Sequence, residues 1–168
     1  MFDPRGPVLG IDPGVSRCGY GAVARREGAL HARACGVIRT SPADPLPDRL
    51  RALADELAAL VAELRPRAVA VERVLFQANV RTAMSVGQAS GVALVVAARA
   101  GVPVTQYSPN EVKLAVTGDG RADKRAVQTM VTRLLGLADV PKPPDAADAL
   151  ALACCHLGRS RLLERVPT

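Results

Sequence analysis

The sequence predicts an α/β fold with one mixed five-stranded sheet, three antiparallel strands followed by parallel ones, flanked by helices on both faces. Three extended segments, separated by turn residues at 13–14 and 26–29, open the chain as an antiparallel meander does. Two short apolar runs, 68–74 and 102–107, each follow a helical pattern, which is typical of buried parallel strands reached by crossovers. We expect the 168 residues to form a single domain, because 49% of them are apolar and no composition shift or repeat divides them.

The first bend of the meander carries a carboxylate at the end of a strand. The aliphatic run 8–11 ends at Asp12, the chain turns at Pro13 and Gly14, and a glycine-spaced strand resumes from Cys18. An ionised Asp in an apolar strand is costly to bury without a cation or hydrogen-bond donors. Asp12 is therefore either a cap of the Pro-Gly turn or one member of a site that needs further carboxylates.

Five helical segments follow, and proline, serine and glycine mark their ends. The three-and-four spacing of leucines after Asp48 predicts an amphipathic helix that stops before Pro66. Ser108 and Glu111 have the spacing of an N-terminal capping box. The apolar stretch 92–98 has no polar face, so we expect it to be buried. The segments predicted to be helical are 48–65, 80–99, 108–116, 124–135 and 145–157.

The charge balance indicates a polyanionic partner, and nucleic acid is the first candidate. The chain has 22 Lys and Arg against 16 Asp and Glu, a net charge of +6. A surplus of this size favours association with polyanions, although it does not indicate a fold.

Membrane and zinc-binding classes are not favoured by the sequence. No apolar run approaches the roughly 18 residues of a transmembrane helix, and the N-terminus lacks the pattern of a signal peptide. We therefore expect a cytoplasmic protein without a membrane partner. The four cysteines show no paired C-x-x-C spacing and there are only two histidines, so the cysteines are interpreted as small apolar residues.

Four carboxylates occupy positions from which they can form one site. Asp12 lies at the first bend, Glu72 ends the fourth strand, and Asp145 and Asp148 lie three apart in the first turn of the last helix. Each has a plainer interpretation, since Glu72 can simply enter solvent and the two Asp can favour the helix N-terminus. A like-charged cluster beside apolar walls is stable only around cations, which favours the site.

Oxygen ligands without thiolates or a histidine cluster select Mg²⁺ or Mn²⁺. Two such ions, about 4 Å apart, activate a water and neutralise the leaving oxygen in phosphoryl displacement. Together with the basic charge, the residues alone predict a metal-dependent nuclease.

Five motifs carry a resemblance to a known family. They read GIDPGVSRCGYG, VERV, VGQASGVAL, VKLAVTGDGRADK and DAADALALA, in this order. In order and spacing the chain resembles the RuvC family of Holliday junction endonucleases, in the RNase H-like superfamily. The resemblance implies an RNase H-like fold and assigns Asp12, Glu72, Asp145 and Asp148 as metal-binding catalytic carboxylates with two Mg²⁺ or Mn²⁺ ions.

The resemblance also implies partners. The family acts as a homodimer on the two-fold symmetric strands of a four-way DNA junction, and we expect a RuvA-RuvB type branch-migration complex as a further partner. The helix 80–99, with Gly87 and Gly91, resembles the family's dimer-interface helix, although its apolar half could equally be intramolecular core. Gly14 and the segment 19–21 are interpreted as clearance for a DNA backbone.

Several side chains are predicted to contact DNA. The family often has an aromatic wedge three positions after the strand-end Glu, where this chain has Leu75 followed by Phe76, and either could insert. Lys113 and Lys124 stand where the family has basic residues near the scissile strand, although Lys124 could equally be a solvated lysine at a helix start. Residues 158–168 are predicted to form a loose basic tail. The candidate DNA contacts are Leu75, Phe76, Arg81, Lys113, Lys124 and Arg125.

The predicted function is therefore a structure-selective endonuclease that resolves four-way junctions in recombination and repair. One alternative is a junction-binding scaffold without turnover, which the four carboxylates disfavour because pure binding has no use for acids facing DNA. Others are an RNase H-like RNA-processing nuclease and an actin/hexokinase-like phosphotransferase. The phosphotransferase would need a second phosphate-binding glycine loop and an adenosine pocket, and the sequence shows neither.

Overall fold

The computed structural model describes residues 6–74 and 80–163. Five strands and five helices lie within these residues. The strands are β1 Val8–Asp12, β2 Arg17–Arg26, β3 Ala29–Arg39, β4 Ala68–Glu72 and β5 Val104–Tyr107. The helices are α1 Leu46–Leu64, α2 Val80–Arg99, α3 Pro109–Thr117, α4 Lys124–Leu134 and α5 Pro144–Leu163.

The five strands form one mixed sheet in the order β3-β2-β1-β4-β5. The pairs β1–β2 and β2–β3 are antiparallel, whereas β1–β4 and β4–β5 are parallel. The second bend is a two-residue turn in which Glu27 and Gly28 both have positive φ, the backbone that a tight hairpin needs. The predicted sheet is confirmed.

Helices cover both faces of this sheet, and the alternation of the strands decides which side chains meet which helices. Leu9 and Ile11 of β1 belong to the core under α1 and α2. Val8 belongs to the core under α3, α4 and α5. Because successive side chains point to opposite faces, Asp12 shares the face of Val8. By the same alternation in β4, Glu72 shares the face of Ala70 and also lies on the α5 side.

Three glycines allow the backbone of α5 to pack closely against this part of the sheet. Any Cβ at Gly10, Gly19 or Gly21 would overlap main-chain atoms of α5, at Ala149, Asp145 and Leu150 respectively. The expectation that Gly19 and Gly21 give clearance for DNA is therefore wrong. Their missing side chains leave room for α5, which carries two of the four candidate acids.

The last helix is longer than predicted, because it continues past Leu157 to Leu163. The prediction of a loose tail from residue 158 is therefore wrong for 158–163, and residues 164–168 lie outside the described part of the chain. Arg159 explains the extension: its Nη1 donates to Glu111 Oε1 over 2.7 Å, and its guanidinium lies 5.5 Å from the Tyr107 ring centroid. These contacts tie the C-terminal half of the helix to α3 and β5.

Helix α2 is only half buried, so the expectation that 92–98 is buried is wrong in part. Ala93, Val96 and Ala97 pack inwards. Val95 is 49% exposed, and Val80 and Met84 nearer the start of the helix are 69% and 60% exposed. The reason is that α2 packs with one side on α1 and the sheet, and no other described element covers its outer side.

By length and composition alone, α2 is also apolar enough to cross a membrane, with a mean hydropathy of 1.3 over its window and 28% of that window buried. It is the one helix among residues 6–74 and 80–163 that meets this criterion. Arg81, Ser85 and Gln88 interrupt its apolar run. A single helix of this kind is weak evidence for a span, because helices of soluble proteins meet the same criterion.

Candidate active site

A cleft of about 280 Å³ opens at the carboxyl ends of β1 and β4. Asp12, Glu72 and Asp148 line it together with Lys113 and Lys124. The remaining wall is mostly apolar and comes from α3, α4 and α5; it consists of Pro109, Val112, Val127, Ala151 and Leu152. The structure thus brings together acids from three distant segments with the two lysines of the family pattern.

The fourth acid, Asp145, lies one turn before Asp148 on α5 and is held by an arginine of β2. Arg17 Nε and Nη2 donate to Asp145 Oδ2 over 3.0 Å and 2.5 Å. The strand register explains the pairing: Asp12 lies opposite Gly19, so Arg17 is two residues further along on the same face. Asp145 does not line the cleft itself, but its charge reaches Asp12.

Lys124 makes the corresponding contact to Asp148, with Nζ 2.7 Å from Oδ2. Lys124 is the first residue of α4, and the preceding Asp123 caps that helix by accepting a hydrogen bond from Ala126 N over 2.7 Å. The cap fixes where the helix begins and therefore where the lysine points. Each acid of α5 is thus held by one cation from a different element.

The acids perturb one another strongly. Burial, followed by the charges of Glu72, Asp148 and Asp145, raises the pKa of Asp12 to about 8, and Lys124 opposes this only partly. Burial and the charge of Asp148 also raise the pKa of Glu72, against a hydrogen bond with Asp12 and the charge of Lys124. Both carboxyls therefore keep a proton to a higher pH than free acids do.

This donor set fits a divalent cation. The cluster consists of carboxylate oxygens, the ligands that Mg²⁺ and Mn²⁺ prefer, and its mutual repulsion is relieved by positive charge. As the side chains lie, no group of three or more His, Cys, Asp or Glu among the described residues is arranged to hold a metal ion. Two of the acids instead have Oδ2 turned towards Arg17 and Lys124.

A second arginine fixes the turn that follows Asp12. Arg49 of α1 donates from Nη2 to Ser16 Oγ over 2.5 Å and from Nε to Thr40 Oγ1 over 3.0 Å. The Thr40 hydroxyl in turn donates to Val15 O over 2.6 Å. The turn 13–16 is therefore tied to the end of β3 and the start of α1, and this fixes the backbone next to Asp12.

The predicted capping box of α3 is present and belongs to a larger network beside Glu72. Ser108 N donates to Glu111 Oε2 over 2.8 Å, and Glu111 N donates to Ser108 Oγ over 3.3 Å. The hydrogen bond from Arg159, together with that from the Ser108 backbone, lowers the pKa of Glu111 to about 2. Arg73, which follows Glu72, donates its backbone N–H to Tyr107 O over 2.7 Å and extends the β4–β5 pairing.

Not every predicted DNA contact lies at the cleft. Arg125 is exposed on α4 and Arg81 is exposed in the first turn of α2, and neither lines it. Leu75 and Phe76 lie outside the described residues, so the choice between them stays a prediction.

Sequence reasoning missed Arg17, Arg49 and Arg159. Arginines leave little trace in a sequence, because a long cationic side chain suits a solvated surface as well as an ion pair. Only the strand register, which was not part of the prediction, places Arg17 on the face of Asp12.

The family model for crossover junction endodeoxyribonuclease RuvC matches residues 8–156. The chain belongs to the RuvC family. The RuvC of Frankia alni is 58% identical over 163 residues, covering 95% of this chain and 81% of that protein.

Two solved RuvC structures show the same architecture. Thermus thermophilus RuvC is 42% identical with a TM-score of 0.86, covering 93% of this chain and 96% of that one. T. thermophilus RuvC in complex with a Holliday junction substrate is 39% identical with a TM-score of 0.89, covering 94% and 96%. The RuvC resemblance and the RNase H-like fold are thereby confirmed, and the family name describes nucleases that act on DNA.

Proposed function

We propose that this chain is a structure-selective endonuclease that resolves four-way (Holliday) DNA junctions by symmetric, Mg²⁺- or Mn²⁺-dependent phosphodiester hydrolysis. One observation carries the proposal: acids from β1, β4 and α5 meet two lysines in one cleft of a RuvC-family chain. A relative of 39% identity that was solved with a Holliday junction substrate supports the choice of DNA structure.

In this proposal Asp12, Glu72, Asp145 and Asp148 hold two divalent cations. Such ions supply the activation of a water and the neutralisation of the leaving oxygen. Lys113 and Lys124 bring positive charge to the scissile phosphate, and Lys124 also orients Asp148. The apolar wall from α3, α4 and α5 limits the access of bulk water, which strengthens each electrostatic interaction in the cleft.

The raised pKa values also bear on the cleft before a cation binds. Because the pKa of Asp12 is raised to about 8 and that of Glu72 is raised as well, the pair carries less negative charge at neutral pH than two free carboxyls would. Less negative charge then faces the DNA backbone.

We further propose that the chain acts as a homodimer through the outer side of α2. Val80, Met84 and Val95 are exposed there, and a Cβ at Gly87 or Gly91 would meet no atom within 4 Å. A second copy packed on this stripe would bury the apolar side chains and present two active sites to a two-fold substrate. We also propose that the protein is cytoplasmic and works with a RuvA-RuvB type branch-migration complex.

The test is a cleavage assay on a synthetic mobile four-way junction beside a linear duplex of the same sequence. We expect nicks in the junction only, with Mg²⁺ or Mn²⁺ but not with EDTA, and none from Asp12→Asn. Asp44→Asn, which removes an exposed acid from the loop after β3, is the matched control and should cut normally. Junction binding without nicks in either metal would favour the scaffold and contradict the proposal.

A further inference from the structure

Three arginines from three elements lie near the open end of the β2–β3 hairpin, beside the cleft. Arg17 begins β2 and lies directly opposite Arg39, the last residue of β3. Arg49 of α1 reaches the residues beside them, Ser16 and Thr40. Arg17 and Arg39 therefore share one face of the sheet, while Arg49 holds the residues next to them from the α1 side.

The positive charge at this edge is only partly compensated. Like charges directly opposite each other on antiparallel strands destabilise the pairing unless an anion lies between them. Asp145 offsets Arg17, but the exposed side chain of Arg39 makes no hydrogen bond or ion pair with another described residue. Arg49 has only neutral partners, and Asp48 on the same helix pairs with Arg51 instead, at 3.1 Å.

The three arginines also keep donors that no described protein group uses. A guanidinium has five N–H donors in a planar fork that matches a phosphate. Arg17 and Arg49 each use only Nε and Nη2 in the contacts described above. A phosphate oxygen is the acceptor that fits both the free donors and the uncompensated charge.

The strand order places this edge on the opposite side of the carboxylates from the two lysines. Across the sheet the order is Arg39 on β3, Arg17 on β2, Asp12 on β1 and Glu72 on β4. Lys113 and Lys124, on α3 and α4, line the cleft beside Glu72. Arg39 is two strands from Asp12, which separates their backbones by about 10 Å.

We propose that Arg39, beside Arg17, is a phosphate-binding subsite for the DNA strand that is cut, within a few nucleotides of the scissile bond. The inference rests on the proposed function, since it assigns the strand path through the same site. It gives the carboxylates a cationic contact on each side, so that the strand is held on both sides of the bond that breaks.

The first test measures junction binding in EDTA, where no cutting occurs, for the wild-type chain and for Arg39→Gln. We expect Arg39→Gln to weaken binding by roughly tenfold. The slope of log K against log salt should fall by about 0.9 for each lost phosphate contact. Arg39→Lys should restore most of the slope, because it keeps the charge. Arg99→Gln, an exposed arginine at the end of α2, is the control with the same charge loss and should bind as wild type.

The second test locates the phosphate. Single neutral methylphosphonates are placed at each of four positions on either side of the scissile bond. A substitution at one of these positions should weaken wild-type binding but leave the binding of Arg39→Gln unaffected. A general electrostatic effect of Arg39 on the carboxylates would instead leave every position equally sensitive in both proteins, and this would overturn the inference.

The two proposals can fail separately. If the wild-type chain cuts junctions while Arg39→Gln binds them with unchanged affinity and salt slope, the subsite is wrong and the proposed function stands. If the wild-type chain cuts no junction in either metal, the proposed function fails, and the strand assignment fails with it.

Discussion

At the scale of single residues, the ion pairs of the site orient its carboxylates and contribute little to the stability of the fold. The Arg17–Asp145 and Lys124–Asp148 pairs have cationic side chains that are 45% and 60% exposed. Pairs this exposed contribute about 0–1 kcal/mol, because water screens them. Their main effect is to fix the direction of two carboxylates that repel their neighbours.

Arg17→Gln tests this role. The substitution removes both hydrogen bonds to Asp145, so we expect cleavage to slow, while the free energy of unfolding changes by less than about 1 kcal/mol. Single-turnover cleavage and urea unfolding measure the two effects. Arg51→Gln, which breaks the more exposed pair with Asp48, is the control and should leave cleavage unchanged. Normal cleavage by Arg17→Gln would show that Asp145 needs no such support.

Glu111 gives a pH dependence whose sign follows from its pKa. Its pKa is lowered from 4.5 to about 2, chiefly by the hydrogen bond from Arg159. A lowered folded-state pKa stabilises the fold above about pH 4.5, and this stabilisation is lost as pH falls through about 2. Glu111→Gln should therefore lower Tm at pH 7 and make a smaller difference near pH 2. Thermal unfolding at both pH values checks this, and an equal Tm difference at both would contradict it.

At the scale of elements, the packing of α5 on the sheet determines the positions of two of the four acids. Gly19 packs beneath Asp145 and Gly21 beneath Leu150. In each case the nearest atoms belong to the helix backbone, which cannot move aside as the end of a flexible side chain could. The acids of α5 can reach Asp12 and Glu72 only because β2 has no side chains at these positions.

Gly19→Ala should therefore displace α5 at Asp145. We expect a loss of about 1–3 kcal/mol in the free energy of unfolding, together with a loss of cleavage. Gly158→Ala is the matched control on the same helix, where a Cβ meets no atom within 4 Å and alanine should be neutral or stabilising by up to about 1 kcal/mol. Urea unfolding of both variants decides between them, and a Gly19→Ala protein as stable as wild type would contradict the packing described here.

The elements also show what a sequence can and cannot predict. The capping box at Ser108 and the strand-end positions of Asp12 and Glu72 follow from local patterns, and the structure has them there. The extension of α5 past Leu157 depends on the Arg159–Glu111 contact, which joins residues 48 apart, and no local pattern reports it. The apolar stretch 92–98 predicts that Val95 is buried, yet its side chain is exposed. Hydropathy indicates that a surface is apolar, but it does not indicate which partner covers that surface.

At the scale of the whole molecule, charge and apolar surface are separated. The net charge of +6 coexists with an acidic cleft that has lysines on one side and arginines on the other. The exposed apolar stripe on α2 is a separate surface, and neither face follows from composition alone. The family motifs predicted the acids and the two lysines, whereas the roles of the arginines required the folded chain.

The stripe on α2 makes the oligomeric state testable. Val95→Glu places a charge in the proposed interface, and we expect a shift from dimer to monomer in analytical ultracentrifugation with little change in the circular dichroism spectrum. Leu114→Glu, at a side chain 58% exposed on α3, is the control and should remain dimeric. A wild-type chain that sediments as a monomer at micromolar concentration would contradict the interface.

The most direct test of the central claim, that the four acids form one metal-dependent junction-cutting site, is strand-resolved cleavage. A four-way junction is prepared in four versions, each labelled on one strand, and incubated with the wild-type chain or Asp148→Asn in Mg²⁺. We predict nicks at symmetric positions in two opposing strands from the wild type and none from Asp148→Asn. Nicks that persist in Asp148→Asn, or in EDTA, would contradict the account.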